Sequence, residues 1–223
     1  MHSLDSLLSL WEQYLPSLLL GCQLTLEVTG IGVAAGLILG VAIGSARAAD
    51  VPVLRSLARG YVDLLRGTPL LVQIFFIFFA LPILIQVNLR PLTAGTIAVA
   101  LNAGAYFSEV VRSALLTIPT SQLQASQALG LSRLATMRHV VGPQAFLVAL
   151  PGILNQVTIS LKDTSLLAVI SVNELTHRGE VIIAATFDAL QIWAVVAILY
   201  LLMNAALTLF GGHLENRLRR YTA

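Results

Sequence analysis

Apolar residues in this chain gather into runs far longer than a buried strand or a surface helix uses, and short polar segments separate them. Five runs, over residues 18–46, 70–87, 93–118, 144–172 and 190–211, each supply the roughly 20 residues that a helix needs to cross a hydrocarbon core. The pattern predicts an all-α integral membrane protein with five transmembrane helices. Before the first run, Leu4, Leu7, Leu8, Trp11 and Leu15 share one helical stripe, which predicts a short amphipathic helix lying in the interface over residues 1–15. A transmembrane domain then covers residues 16–217, and a short tail covers 218–223.

Glycine and polar positions inside the runs add detail. Gly32, Gly36, Gly40 and Gly44 recur at every fourth residue of the first span. Such a stripe lets a second helix approach closely, where lipid gives helices no hydrophobic drive to associate. The second span is expected to kink or end near Pro82. The third carries Asn102, Glu109 and Arg112, and the last two stand three residues apart, so they can pair on one face. The fourth holds Pro151-Gly152, Asn155 and then Lys162, Asp163, Thr164 and Ser165. These residues predict a broken span, because irregular backbone at membrane depth is tolerated where it lines a cavity. Lys162 and Asp163 are adjacent, so they point about 100° apart and each needs a partner from elsewhere. An ionisable side chain at the bilayer centre costs about 2.5–3.5 kcal/mol on insertion scales, so each must face protein or water. Two readings stay open for these groups: an interhelical ion-pair network, or a pathway wall that recognises a zwitterion.

Arginines orient the helices. With the N-terminus outside, the inner segments hold Arg47, Arg55, Arg59, Arg66, Arg133, Arg138, Arg217, Arg219 and Arg220, and the outer ones hold Arg90 and Arg178. The positive-inside rule therefore predicts an external N-terminus and a cytoplasmic C-terminus. It also places the longest polar segment, residues 118–143, in the cytoplasm. Pro119 closes the third span there, since the residue before a proline leaves the α region. Ser121 is expected at an N-cap, with Gln124 three residues on completing a capping box. Gly130 is expected in a left-handed C′ conformation, and Ser132 caps a second short helix. By spacing alone this segment is either an ordinary loop helix or a compact helix held out for a partner to grip.

Composition narrows the class. Hydrophobic residues make up 57% of the 223 residues and charged ones 11%, more apolar surface than a soluble domain can hide. The net charge of +2 carries no message about nucleic acid. The lone Cys22 excludes an internal disulfide and a cysteine-based metal cage. No basic segment precedes an apolar run at the N-terminus, so no cleavable signal peptide is expected. No G-x-x-x-x-G-K-[ST] loop is present, and His2, His139, His177 and His213 lie in four different segments. No catalytic constellation, metal or cofactor is expected in this chain.

Q-A-S-x-A-L-G at residues 124–130, followed by V-V-G-P-Q-A at 140–145, resembles the Glu-Ala-Ala loop of ABC importer permeases. Y-V-D-L-L-R-G-T-P-L-L-V-Q-I-F-F at 61–76, L-K-D-T-S-L-L-A-V-I-S-V-N-E at 161–174 and N-x-G-A-Y at 102–106 are similar to the polar amino-acid uptake subgroup, and most of all to glutamine permeases. Three positions depart from the loop pattern: Gln124 stands for Glu, Ser126 for Ala and Gly142 for Leu. The resemblance implies a type I importer fold in a bacterial cytoplasmic membrane. It implies a coupling helix whose contact surface on the ATPase is Gln124, Ala125, Ser126, Leu129 and Gly130. It also implies two ATPase subunits holding ATP and Mg, an extracytoplasmic amino-acid-binding protein and a second permease subunit, identical or paralogous. Asn102, Glu109, Asp163, Thr164 and Ser165 are the candidates for the substrate pathway, with Glu109 or Asp163 meeting the ammonium of an amino acid and Thr164 and Ser165 its carboxylate. A passive channel, with the loop as a mere gate or linker, is the alternative.

Overall fold

A computed structural model describes the backbone of residues 2–48 and 51–220, and the side chains of 13–48 and 51–218. Among the described residues the chain is helical, with no strand. The order is α1 (His2–Ala48), α2 (Pro52–Arg66), α3 (Leu70–Phe75), a π-turn (Phe76–Ala80), α4 (Leu81–Ile85), α5 (Pro91–Thr117), α6 (Thr120–Ala128), α7 (Arg133–Thr136), a second π-turn (Met137–Val141), α8 (Gly142–Asp163), a 3-10 turn (Thr164–Ile170), α9 (Leu175–Thr186) and α10 (Ala189–Arg220).

Four stretches are long and apolar enough to cross a membrane: Gln13–Ala48, Pro91–Thr117, Arg133–Ile170 and Ala189–Leu218. Pro52–Arg66 and Leu70–Ile85 pass the same test only as a pair, and the two are bent by 104° at the break between them. The buried core is mostly apolar, but large apolar side chains also stand outside it and several polar ones lie within it. Ile38, Ile83 and Leu201 are exposed, whereas Thr25, Thr29, Gln73, Asn102, Gln156 and Ser160 are buried. Hydrocarbon tolerates the first set, and the second would be costly to leave without partners in it.

Several expectations are refined. Residues 2–15 are not a separate interfacial helix: the backbone stays helical through Pro16 into the first span. The side chains of Leu4, Leu7, Leu8 and Trp11 lie outside those described. Proline removes one helical N–H and crowds the carbonyl four residues back, which a long helix can absorb at one position. Near Pro82 the span ends as expected, at Ile85 with Gln86 left-handed, but the helix runs through the proline itself. The Leu81 N–H instead bonds five residues back to Phe76, and Gly142, before Pro143, likewise bonds back to Met137. A π-turn thus precedes each of these prolines, and widening the coil makes room for a ring that would strike an α-helical carbonyl. Span four is unbroken at Pro151-Gly152, since Pro151 lies inside α8. A Cβ on Gly152 would meet Val110 Cγ1 at 2.9 Å, so that glycine permits close helix packing. The change of geometry comes later, at Asp163–Thr164, where α gives way to 3-10.

The helices form two compact units. One comprises Met1–Gly32, Leu70–Val99 and Thr158–Thr208. Its core is Leu18, Cys22, Leu175, Ile182, Ile192, Val196 and Leu199, so α9, expected only as a polar connection, is packed between α1 and α10. The backbone of α9 comes close enough that a Cβ on Gly21 would meet Leu175 Cα at 2.8 Å. The Leu175 N–H donates to the buried Thr25 hydroxyl (3.2 Å), and Arg178 donates to Ser17 (3.0 Å).

The other unit comprises Val33–Pro69, Ala100–Val157 and Leu209–Ala223. Here the glycine stripe does what its spacing predicts. Cβ atoms on Gly36 and Gly44 would meet Ala100 O and Ser108 O at 2.9 and 2.7 Å, and one on Gly40 would strike Phe107. Tyr61 on α2 donates to Leu101 O on α5 (2.7 Å). Ala114, Ile118, Val141, Ala145 and Ala149 pack α5 against α8.

Candidate functional site

Residues 119–143 build a rigid polar-segment helix. Pro119, with φ −59° and ψ 136°, is the N-cap of α6, and no side chain caps it. Ser121 is therefore not the cap expected from its spacing. Proline's fixed φ suits the residue that leads into a helix, and the Gln122 N–H turns back to Pro119 O (3.0 Å). The other end agrees with expectation. Gly130 has φ +77°, its N–H bonds Gln127 O (2.9 Å), and the Leu131 N–H bonds Ser126 O (3.1 Å). Those two bonds are the Schellman pattern, which needs a left-handed residue between them. Ser132 then caps α7, accepting from Ala135 N (3.2 Å).

Two side-chain bonds fasten α6 to the helices that follow it. Thr136 donates to Ser126 Oγ (3.0 Å), and Gln144 donates to Gln122 Oε1 (2.6 Å). Ser126 is buried, so it holds the helix from within and offers no contact to a partner. This is what a serine does at a position where the importer pattern has alanine. Gln124, Ala125 and Gly130 are exposed, and Leu129 and Leu134 are 81% and 78% exposed. The result is a small apolar surface with a glutamine at its edge, on a helix that cannot tilt without breaking those two bonds.

Glu109 sits near the end of α5 among three guanidinium groups. Arg47 bonds its Oε2 at 2.6 Å, Arg66 approaches the same oxygen at 3.4 Å, and Arg112 approaches Oε1 at 3.4 Å. The i,i+3 pair expected from the sequence is thus present. Sequence spacing could not show that Arg47, from 62 positions away, makes the shortest bond of the set. Arg66 also lies over the Tyr106 ring, 5.2 Å from its centre. Asn102, on the same helix, is buried.

Asp163, Thr164 and Ser165 fall in the other unit, at the passage from α8 into the 3-10 turn. Thr164 is fully buried and donates to Leu161 O (2.7 Å), and Ser165 donates to Lys162 O (2.7 Å). Both hydroxyls serve the local turn. The Asp163 carboxylate is half-buried and has no hydrogen-bond partner among the described residues.

Glu174 was not singled out by its spacing. It caps α9, accepting from the Thr176 and His177 N–H groups (2.9 and 2.8 Å) and from the Tyr200 hydroxyl (2.8 Å). Burial pushes its carboxyl above the usual range, against these bonds, which favour the ionised form. Glutamate is not among the residues that N-caps favour, so the sequence carried no signal for this role in a segment otherwise read as polar loop.

Spans of this composition, together with a fastened helix on a polar loop, define a multi-span membrane protein with a fixed helix outside its spans. The chain belongs to the family of binding-protein-dependent transport system inner membrane components, whose pattern it matches over residues 28–220. It is 41% identical over 206 residues to the glutamine transport system permease protein GlnP of Escherichia coli K12, covering 92% of this chain and 94% of that one. It is 37% identical to the L-cystine transport system permease protein TcyB of Bacillus subtilis, covering 95% and 91%. Its fold superposes on the crystal structure of an amino acid ABC transporter with histidines at a TM-score of 0.87 and 28% identity, covering 94% and 97%. The inward-facing MetNI methionine ABC transporter, at 18% identity and a TM-score of 0.81, shares the fold.

Proposed function

We propose that this chain is the permease subunit of an ABC importer for a polar amino acid, glutamine or a close analogue. It forms the translocation pathway and couples it to ATPase subunits through residues 121–130. The observation that carries the coupling is the fastening of α6. A helix closed by Gly130 and tied through Ser126 and Gln122 to Thr136 and Gln144 passes a push on Gln124, Ala125 or Leu129 directly into span four. A passive channel has no use for such a lever. The relatives' names support an amino acid as cargo. Two ATPases carry ATP and Mg, an extracytoplasmic binding protein delivers the amino acid, and a second permease subunit, identical or paralogous, completes the membrane part. The N-terminus faces out and the C-terminus faces the cytoplasm, as the arginines require.

The pathway residues are Asn102, Glu109, Asp163, Thr164 and Ser165. Because Glu109 already serves three arginines, Asp163 is the better partner for a substrate ammonium. Thr164, Ser165 and backbone N–H groups meet the carboxylate, once the hydroxyls leave their own backbone acceptors.

Coupling is tested by cross-linking. In a Cys22→Ser background, a cysteine at Gln124 or Leu129 should cross-link to the ATPase subunit, and the yield should change when ATP is added. A cysteine at exposed Pro151 should not. Equal cross-linking from both places, or none from α6, would reject the docking role.

A further inference from the structure

Two cavities of the second unit share α1 and α5. One, of about 290 Å³, is lined by Arg47, Ala48, Arg55, Arg59, Arg112 and Leu116. Four of those six are arginines, and Glu109 offsets part of their charge through Arg47 and Arg112. The other, of about 310 Å³, is almost wholly apolar; Leu37 and Val41 of α1, Val111 and Leu115 of α5, and Phe146 and Ala149 of α8 are among its walls. On α1, Ser45 of the apolar cavity is about one turn from Ala48 of the basic one, and on α5 Leu115 and Leu116 are neighbours. Along both helices the lining of the apolar cavity therefore follows that of the basic one within about a turn. From Ser45 to Leu37 it follows α1 for roughly 12 Å, most of one leaflet's share of a core about 30 Å thick.

Helix α2 adds an independent indication. Val53, Leu57 and Leu64 form one exposed apolar arc, while Arg55, Arg59 and Arg66 lie about 140–180° around the helix from its centre. A helix built this way lies in the headgroup plane, with leucines toward acyl chains and arginines at the level of phosphates. Guanidinium groups bind phosphate oxygens in a fixed fork and shed water more easily than an ammonium does.

We infer that this face holds one anionic phospholipid of the adjoining leaflet, its phosphate among Arg47, Arg55, Arg59 and Arg112 and one acyl chain in the apolar cavity. A free phosphate would satisfy the arginines alone and leave the adjoining apolar cavity without a role. A head of one charge joined to a tail of one leaflet's length fits both.

The test uses the purified complex, delipidated and returned to nanodiscs of phosphatidylcholine with or without phosphatidylglycerol. Native mass spectrometry counts retained lipid, and thermal unfolding reads its effect. Wild type should retain phosphatidylglycerol in preference to phosphatidylcholine and gain stability from it. Arg55→Ala/Arg59→Ala should weaken that retention about 25-fold, at roughly fivefold per interfacial arginine. Val41→Phe, which fills the apolar cavity without touching an arginine, should weaken it too. Arg133→Ala/Arg138→Ala, on the exposed segment after α6, should leave it unchanged. Equal retention by wild type and the Arg55/Arg59 variant would overturn the inference. So would stabilisation of wild type in pure phosphatidylcholine by inorganic phosphate to the extent given by phosphatidylglycerol, which would leave only an anion site. Loss of the ATPase from the Arg55/Arg59 variant with lipid retention intact would assign the face to that partner instead.

Discussion

Replacing Gly130 separates conformation from contact at the end of α6. A Cβ there would meet nothing within 4 Å, so an added side chain meets no neighbour in this chain and its cost is that of the backbone alone. At φ +77° an ordinary L-residue is strained by about 1–2 kcal/mol, and a β-branched one by more. Releasing that strain would unwind the Schellman end and lose two hydrogen bonds, each of net value about 1 kcal/mol. By either route the docked geometry becomes about 5–30 times less populated. Asn tolerates the left-handed region far better than Ala or Val. Uptake and transport-coupled ATP hydrolysis in the reconstituted complex should therefore fall in the order Gly, Asn, Ala, Val. Membrane insertion, read by yield, should stay constant. If Gly130 is needed because a partner's surface presses on it, the order follows size instead, and Asn is worse than Ala. That order, or full coupled transport by Gly130→Val, would refute the conformational argument.

Other expectations follow from single contacts. Gly40→Leu must push α1 off Phe107 and should cost about 1–3 kcal/mol or more in thermal stability, as overpacked cores do, while Gly30→Ala, inside α1 with open space around it, should cost nothing and gain about 0.5–1 kcal/mol. Glu109→Gln leaves Arg47, only 11% exposed, beside a neutral amide, so it should lose part of the roughly 3–5 kcal/mol seen when a buried pair is broken; Asp163→Asn should assemble normally but transport with weaker apparent affinity. Unchanged affinity in a well-assembled Asp163→Asn complex would remove that residue from the pathway. Glu174 has a raised folded-state pKa, so its contribution to stability is fully present below the ordinary carboxylate pKa and is lost as pH rises through the folded value. Thermal midpoints should decline over that window in wild type and not in Glu174→Gln. With buried Cys22 replaced by Ser, cysteines at Ser121 and Arg217 should resist impermeant reagents in intact cells and those at Arg90 and Glu180 should react; the reverse pattern would invert the topology.

The features readable from the sequence were those written in local spacing. Span positions came from run length, the close approach of another helix to α1 from glycines four residues apart, and the end of α6 from Gly130. The start of α6 lies two residues before the cap that the Ser121–Gln124 spacing predicts, because Pro119 is itself suited to lead a helix. Span four misled for a related reason. Pro151-Gly152 looked like a break, but a proline on an exposed face beside a glycine that seats Val110 keeps the helix whole. What spacing could not show was pairing over long separation. Arg47 with Glu109, Thr25 with Leu175 and Gln122 with Gln144 are partners that only the folded chain selects. The same holds for α9, whose Leu175 and Ile182 become core residues only because α1 and α10 close over them.

The most direct measurement is uptake of labelled glutamine into proteoliposomes holding the complete complex, with binding protein outside and ATP inside. An importer accumulates the amino acid above its external concentration only when ATP is enclosed, and the Gly130→Val complex fails to do so. Flux that only equilibrates the two sides, proceeds without ATP and is indifferent to Gly130→Val would show a passive channel and contradict the coupling of this fold to an ATPase.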